Sequence, residues 1–269
     1  MNLSVTIERA EQVDDMDKSI QQLSVRFLGV GGASQQGIGH ASAVVEVEDQ
    51  KLLIDCGPGT LHRFVEHYDC LPDAIFITHC HLDHVGDFEN FFIRCLFSNS
   101  RKIRPKVFVP SAIVHLLQLR VASYPSPLAE GGTNFWDAFQ MIPVLDTFYF
   151  ADVVFHVDAV RHHAPNTAFG LGVKDTFFYT GDTRPVPELI NQISPVTKIF
   201  HDCTTIGNPS HTGIDDILRE YTQEKIQQMW FYHYTTEEDV KVFRQHNLQV
   251  VLPKDSYTLD IPGESRFPR

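Results

Sequence analysis

Phe76-Ile77-Thr78-His79-Cys80-His81-Leu82-Asp83-His84-Val85-Gly86-Asp87 sets three histidines and an aspartate side by side, directly after the apolar run Ala74 to Ile77. A short apolar run of that kind reads as a buried strand, so the stretch describes a strand that stops on a cluster of titratable side chains. Imidazole and carboxylate are the side chains that bind first-row divalent ions at neutral pH. His79, Cys80 and His81 alternate, which lets the two imidazoles converge on one ion while Cys80 points into the core. Asp83 and His84 fall at the start of the following helix, where they can face a second ion. Without a metal these groups would crowd together with their lone pairs and charges unmatched, a costly arrangement wherever water is excluded.

The pattern His79-x-His81-x-Asp83-His84 matches an HxHxDH signature, and the chain on this ground resembles the metallo-β-lactamase superfamily. The resemblance implies an α+β fold, an αββα four-layer sandwich in which two facing mixed β-sheets carry helices on their outer faces and two metals sit at one edge. It also implies three further ligands, each at the end of a later strand. The third histidine falls in Arg161-His162-His163-Ala164-Pro165-Asn166-Thr167; the turn after it favours His163 as ligand, with His162 behind it as a supporting or structural residue. Asp182, closing the aromatic strand Phe177-Phe178-Tyr179-Thr180-Gly181-Asp182-Thr183, matches the family's G-D-T corner and is expected to bridge both metals. Gly-Asp alone is a common turn; its place after the histidine pair gives it weight. His233 ends Met229-Trp230-Phe231-Tyr232-His233, after an amphipathic helix near Ile214 to Tyr221, where the superfamily places its last ligand.

Two further segments narrow the likeness. Ile199-Phe200-His201-Asp202-Cys203-Thr204 and Ser210-His211-Thr212 resemble paired motifs of the tRNase Z group of phosphodiesterases, commonly H-E-A-T and H-S-T. Here Asp202 stands where Glu is usual, Cys203 stands for Ala, and the Ser beside His211 is lacking. The implied chemistry is a carboxylate, Asp202, orienting an imidazole, His211, that donates a proton to a leaving oxygen. Asp55, in Leu52-Leu53-Ile54-Asp55-Cys56-Gly57-Pro58-Gly59, matches the family's D-x-G corner and is expected to orient the ligand loop as a hydrogen-bond acceptor behind a metal-bound histidine.

Composition suits one globular enzyme: 269 residues, 43% of them hydrophobic, are enough for a single large core. Residues 1–22 are polar and acidic and read as an arm preceding one domain over 23–269. The N-terminus lacks the apolar core of a signal peptide and no apolar run approaches a membrane span, so a cytoplasmic protein with no membrane partner is expected. Five scattered cysteines without a CxxC pair suit reduced thiols. Gly29, Gly31 and Gly32 follow the strand Leu23 to Leu28 but lack the residues of a phosphate-binding loop, so they read as a tight turn. Val85 to Phe97 has Phe88, Phe91, Phe92 and Leu96 at helical spacing, whereas Val121 to Phe150, rich in Pro, Gly and aromatics, reads as an irregular region flanking the cleft. The tail from Pro253 onward reads as surface wrapping.

The expected function is a binuclear metal-dependent hydrolase acting on phosphodiesters through a metal-activated water, with zinc as the first choice of metal and manganese or iron as alternatives. Asp83 or Asp182 is expected to accept the water's proton. With 34 acidic and 22 basic residues, net −12, the chain does not have the basic balance that a large RNA favours. The interval between His163 and Asp182 is also too short for a protruding tRNA-binding arm. A small or cyclic phosphodiester or another small anion, or an RNA 3' end, is therefore the expected partner. Many relatives with a short arm pair their active-site edges, so the resemblance admits a homodimer and leaves the oligomeric state open. The rival readings within the same fold are a lactone, thioester or acyl hydrolase, and an iron-dependent oxidoreductase. The oxidoreductase branch typically exchanges one motif histidine for Glu, and His81 is retained here.

Overall fold

The strands sort themselves by burial. Ala74–Phe76, Phe169–Val173 and Phe177–Tyr179 are buried at every residue, as strands covered on both faces must be, whereas Thr147–Phe150 and Ser256–Ile261 largely alternate buried or half-buried with exposed positions, as border strands do. The computed structural model describes residues 21–97, 104–122 and 135–265. Residues 1–20 of the expected N-terminal arm lie outside them.

The first sheet contains β1 (Gln21–Gly29), β2 (Ser42–Val47), β3 (Gln50–Ile54), β4 (Ala74–Phe76), β5 (Lys106–Pro110) and β6 (Gln140–Val144). The second contains β7 (Thr147–Phe150), β8 (Val153–Ala159), β9 (Phe169–Val173), β10 (Phe177–Tyr179), β11 (Lys198–Asp202) and β12 (Met229–Tyr232). β13 (Ser256–Ile261) returns to the first sheet, giving the orders β13-β1-β2-β3-β4-β5-β6 and β12-β11-β10-β9-β8-β7. Both sheets are mixed: β3 through β6 run parallel, as do β10 through β12, and the remaining pairs are antiparallel. Among the described residues the α-helices are α1 (Thr60–Tyr68), α2 (Leu82–Val85), α3 (Phe88–Phe97), α4 (Val114–Leu117), α5 (Pro187–Ile190), α6 (Ile214–Glu220), α7 (Gln223–Ile226) and α8 (Asp239–Gln245).

Aromatic rings fill the space between the sheets. Phe27 of β1 packs on Phe200, Tyr232 and Tyr179 of the opposite sheet at 5.0, 5.9 and 6.1 Å between centroids. Phe148 of β7 stacks on Phe108 and Phe76 at 4.1 and 5.8 Å. Each such ring, fully removed from water, contributes roughly 1.5–3 kcal/mol, so the facing of the two sheets is the main apolar gain of the fold. Among the described residues, no helix is long and apolar enough to cross a membrane.

Three local expectations change. The helix expected over Val85 to Phe97 is two: α2 ends at Val85, and Asp87, whose backbone donates to Cys56 and whose carbonyl accepts from Phe91, starts α3. The region read as irregular between Val121 and Phe150 contains β6 and β7, although residues 123–134 lie outside the described residues. β6 is a sheet border, where Pro143 is tolerated because one side needs no ladder donor. The tail forms β13, six residues in antiparallel register with β1, from Gln21 opposite Ile261 to Arg26 opposite Ser256. That pairing joins the two ends of the chain and leaves no local signal.

Candidate metal centre

Parallel neighbours end on the same edge, and this is what assembles the site. β3 and β4 deliver Asp55 and the His79 loop side by side, while β10, β11 and β12 deliver Asp182, Asp202 and His233. Thr78 ties the two sheets together at this edge, its carbonyl accepting from the Phe169 backbone N–H.

Asp55 leaves β3 with φ +61°, a left-handed conformation that Asp adopts more readily than most residues. Its fully buried carboxylate accepts from the Thr78 backbone N–H at 2.8 Å, from the Thr78 hydroxyl at 2.7 Å and from His84 Nδ1 at 2.7 Å. Burial pushes this carboxyl up while His84 pulls it down. With Nδ1 committed to Asp55, His84 points Nε2 into the site. Gly57 follows; a Cβ there would lie 1.6 Å from the Asp83 carbonyl oxygen, so only glycine lets the ligand loop settle against this corner.

The side chains converge in three overlapping sets, each with ligand atoms all within 4.8 Å of one another: His79, His81, His162 and Asp182; Asp83, His84, Asp182 and His233; Asp182, Asp202, His211 and His233. In the first, His79 Nε2 and His162 Nε2 lie 3.0 and 3.2 Å from His81 Nδ1, and His79 Nε2 lies 3.6 Å from Asp182 Oδ2. The opposite ring nitrogens are anchored, His79 Nδ1 to the Thr78 hydroxyl at 3.1 Å and His162 Nδ1 to the Ser210 carbonyl at 2.9 Å. In the second, His84 Nε2 lies 3.5 Å from Asp83 and 3.2 Å from Asp182, and His233 Nε2 lies 3.2 Å from Asp182.

His162, rather than His163, enters the first set, whereas the sequence favoured His163 as the ligand. β8 ends at Ala159, so the alternation of a strand does not extend to these residues. His163 takes φ +56° and is exposed, its ring 4.7 Å from that of His81 at the mouth of the site. Cys80 is also turned aside, its thiol toward the Ile113 carbonyl.

Asp202 and His211 meet as a pair. Asp202 Oδ2 accepts from the Thr183 backbone N–H at 2.8 Å and faces His211 Nδ1 at 2.9 Å, so the shorter side chain in place of Glu still reaches the ring. The His211 ring stacks on His233 at 4.4 Å between centroids.

The electrostatics follow from packing so many groups into a buried space. Burial, helped by the nearby His84, holds His79 well below the ordinary imidazole range, and burial brings His162 to about 4. Burial acts to lower His84 and His233 too, but Asp182 overcomes it, with Asp55 for His84 and Asp202 for His233. His84 stands well above its ordinary value and His233 at about 9. Burial would raise Asp182, yet His233, His84 and His79 hold it well below the carboxylate range. Asp83 likewise resists its burial through His84 and lies at about 2.

A test of whether metals fit is the state of the buried polar atoms. His84 Nε2, Asp182 Oδ1, Asp202 Oδ1 and both His233 ring nitrogens are buried and have no hydrogen-bond partner of proper geometry. Buried polar atoms are rarely left so. Unpartnered nitrogen and oxygen atoms that converge from separate strands are a donor set waiting for cations.

Three residues at this edge were not read from the sequence as part of the site. Gly32 lies where a Cβ would sit 2.6 Å from the His233 ring, so the turn expected there is also the space for a ligand. His40, lowered by burial against the opposing pull of Asp83, has a buried Nδ1 without a partner. Arg120 lines a cavity of about 570 Å³ together with His79, His81, His162, His163, Leu116 and Leu119. Only the folded chain brings these distant segments to one edge.

A model of the family described as "Anti-Pycsar protein Apyc1" matches residues 23–257. The chain is 28% identical over 247 residues to the anti-Pycsar protein Apyc1 of Paenibacillus harenae, a match covering 87% of this chain and 99% of that protein. Its fold is similar to that of the metallo-β-lactamase fold protein YhfI from Bacillus subtilis, with a TM-score of 0.71 at 13% identity over 88% of this chain and 99% of the other. Human tRNase Z, short form, superposes with a TM-score of 0.57 at 18% identity, over 89% and 99% of the two chains.

Proposed function

The chain belongs to the family of the anti-Pycsar protein Apyc1, and on that premise we propose that it is a binuclear metal-dependent phosphodiesterase acting on a small or cyclic phosphodiester. The carrying observation is Asp182: one buried carboxylate common to all three side-chain sets, with His84 Nε2, His233 Nε2 and its own Oδ1 lacking hydrogen-bond partners of proper geometry around it. His79, His81, His162 and Asp182 would hold one ion; Asp83, His84, Asp182 and His233 would hold the other. Bound divalent ions, zinc foremost for this nitrogen and oxygen set and manganese or iron next, lower the pKa of a bound water toward neutrality and offset charge on the substrate oxygens.

The chain's own residues supply the rest. Asp83, ionised at neutral pH, is placed to accept the proton of the attacking water. His211, with Nδ1 held by Asp202, presents its opposite nitrogen to the leaving oxygen as proton donor. Asp55 and the Ser210 carbonyl fix His84 and His162 in the orientation that directs each Nε2 inward. A cavity of about 570 Å³ has the size of a small-molecule site and favours a small phosphodiester over a large RNA, in accord with the net charge of −12.

The test is metal content by mass spectrometry beside hydrolysis of bis(p-nitrophenyl) phosphate with and without added zinc or manganese. Two metals per chain with metal-dependent turnover are expected. Two metals with turnover of lactones or thioesters only would replace the phosphodiester reading by acyl hydrolysis, and a protein that takes up no metal would end it.

A further inference from the structure

We propose that Arg120 is the residue that captures the anionic substrate, its guanidinium engaging the phosphate as it enters the cavity beside His79 and His81. The inference rests on the phosphodiesterase reading and adds a substrate-binding residue to it. Among the described residues lining the cavity, Arg120 alone carries a permanent positive charge; Leu116 and Leu119 form the apolar wall next to it. Its Nε donates to the Cys80 carbonyl at 3.2 Å. That carbonyl lies between His79 and His81, so the guanidinium is tethered to the very segment that presents two of the imidazoles.

The backbone supporting Arg120 is unusual in the same place. α4 runs directly into a π-helical stretch, Gln118–Ala122, a wide turn that is rare and recurs at functional sites. Leu117 stays buried at the end of α4 while Leu119 and Arg120 are exposed toward the cavity mouth. The long-range field acts against any anionic substrate, because the chain carries −12. A local guanidinium offsets that repulsion where it matters, and its planar fork suits two phosphate oxygens at once. The Arg120 guanidinium is anchored on a backbone carbonyl and not on a metal-holding side chain, so its contribution is to binding rather than to assembly of the centre.

The experiment compares wild type, Arg120→Ala and Arg120→Lys, all metal-loaded, by steady-state hydrolysis of bis(p-nitrophenyl) phosphate at two salt concentrations and by calorimetric titration with inorganic phosphate. Loss of a charge-assisted contact predicts KM and the phosphate dissociation constant up about tenfold in Arg120→Ala, with kcat within about twofold and metal content unchanged. Arg120→Lys should recover part of the loss, and the salt dependence of KM should flatten in Arg120→Ala, which a merely structural role would not produce. Wild-type turnover with KM and phosphate binding unaltered in Arg120→Ala would overturn the proposal and leave the phosphodiesterase reading standing. Absent turnover in wild type, with phosphate binding still weakened by Arg120→Ala, would overturn that reading and sustain the anion site.

Discussion

Asp55→Ala isolates the support beneath the proposed metal centre. The substitution leaves two buried donors, the Thr78 N–H and His84 Nδ1, without their acceptor, whereas the Thr78 hydroxyl can turn to His79 Nδ1, 3.1 Å away. Two orphaned donors cost roughly 1–3 kcal/mol each, and alanine in a left-handed conformation adds about 1 kcal/mol. Relief of the buried carboxylate, which burial already pushes toward its neutral form, returns part of this. A net loss of roughly 3–5 kcal/mol follows, which for a chain of this size is a fall in Tm of about 10 °C. The same change frees the His84 ring to rotate, and loss of such a partner weakens metal binding by about 10–100-fold. The assay is thermal unfolding by circular dichroism with and without metal, beside a competitive zinc titration. Asp55→Asn separates the causes: it tolerates the left-handed backbone and keeps one acceptor, so about half the Tm loss is expected with most of the affinity loss retained. An Asp55→Ala protein that melts within about 2 °C of wild type and binds zinc equally would refute the reasoning, because it would mean that Asp55 neither satisfies nor orients His84.

His162→Ala should remove at least one metal equivalent, whereas His163→Ala should leave metal content unchanged; inductively coupled plasma mass spectrometry of the two purified variants decides, and the opposite result would return the ligand role to His163. His211→Ala should keep its metals but lose about 10²–10⁴-fold in kcat on substrates with a poor leaving group, and much less on p-nitrophenyl esters, which need no proton donor; equal losses on both would remove the proton-donor role. In chelator-treated protein, His233 is held protonated by Asp182 up to about 9, above its ordinary 6.5. Its contribution to stability is therefore complete below 6.5 and lost as pH rises through about 9. Differential scanning calorimetry of the metal-free protein should show Tm falling across that window, with the fall reduced but not abolished in His233→Gln, because Asp182 and Asp55 hold His84 above its ordinary value as well. A flat profile in the unsubstituted metal-free protein would contradict the pairing.

Local chemistry carried the centre a long way. His79, His81, Asp83 and His84 follow one another closely after one strand, and strand alternation with the helix start anticipates their division between two of the side-chain sets. Asp182, Asp202 and His233 are legible as polar residues that close or directly follow apolar runs. Tertiary structure decided what local patterns could not. Whether His162 or His163 faces the cluster depends on a backbone that has left β8 and entered a left-handed conformation, and the Ser210 carbonyl that anchors His162 comes from 48 residues away. β13 exists because its edge hydrogen bonds are completed by β1, at the other end of the chain, and not because of any periodicity strong enough to specify it. Gly32 beside His233, and Arg120 beside the Cys80 carbonyl, carry meaning only once the segments meet. Ligand identity is a property of side-chain type and spacing, which a sequence displays; ligand orientation is a property of dihedral angles and distant hydrogen-bond partners, which only the closed fold supplies.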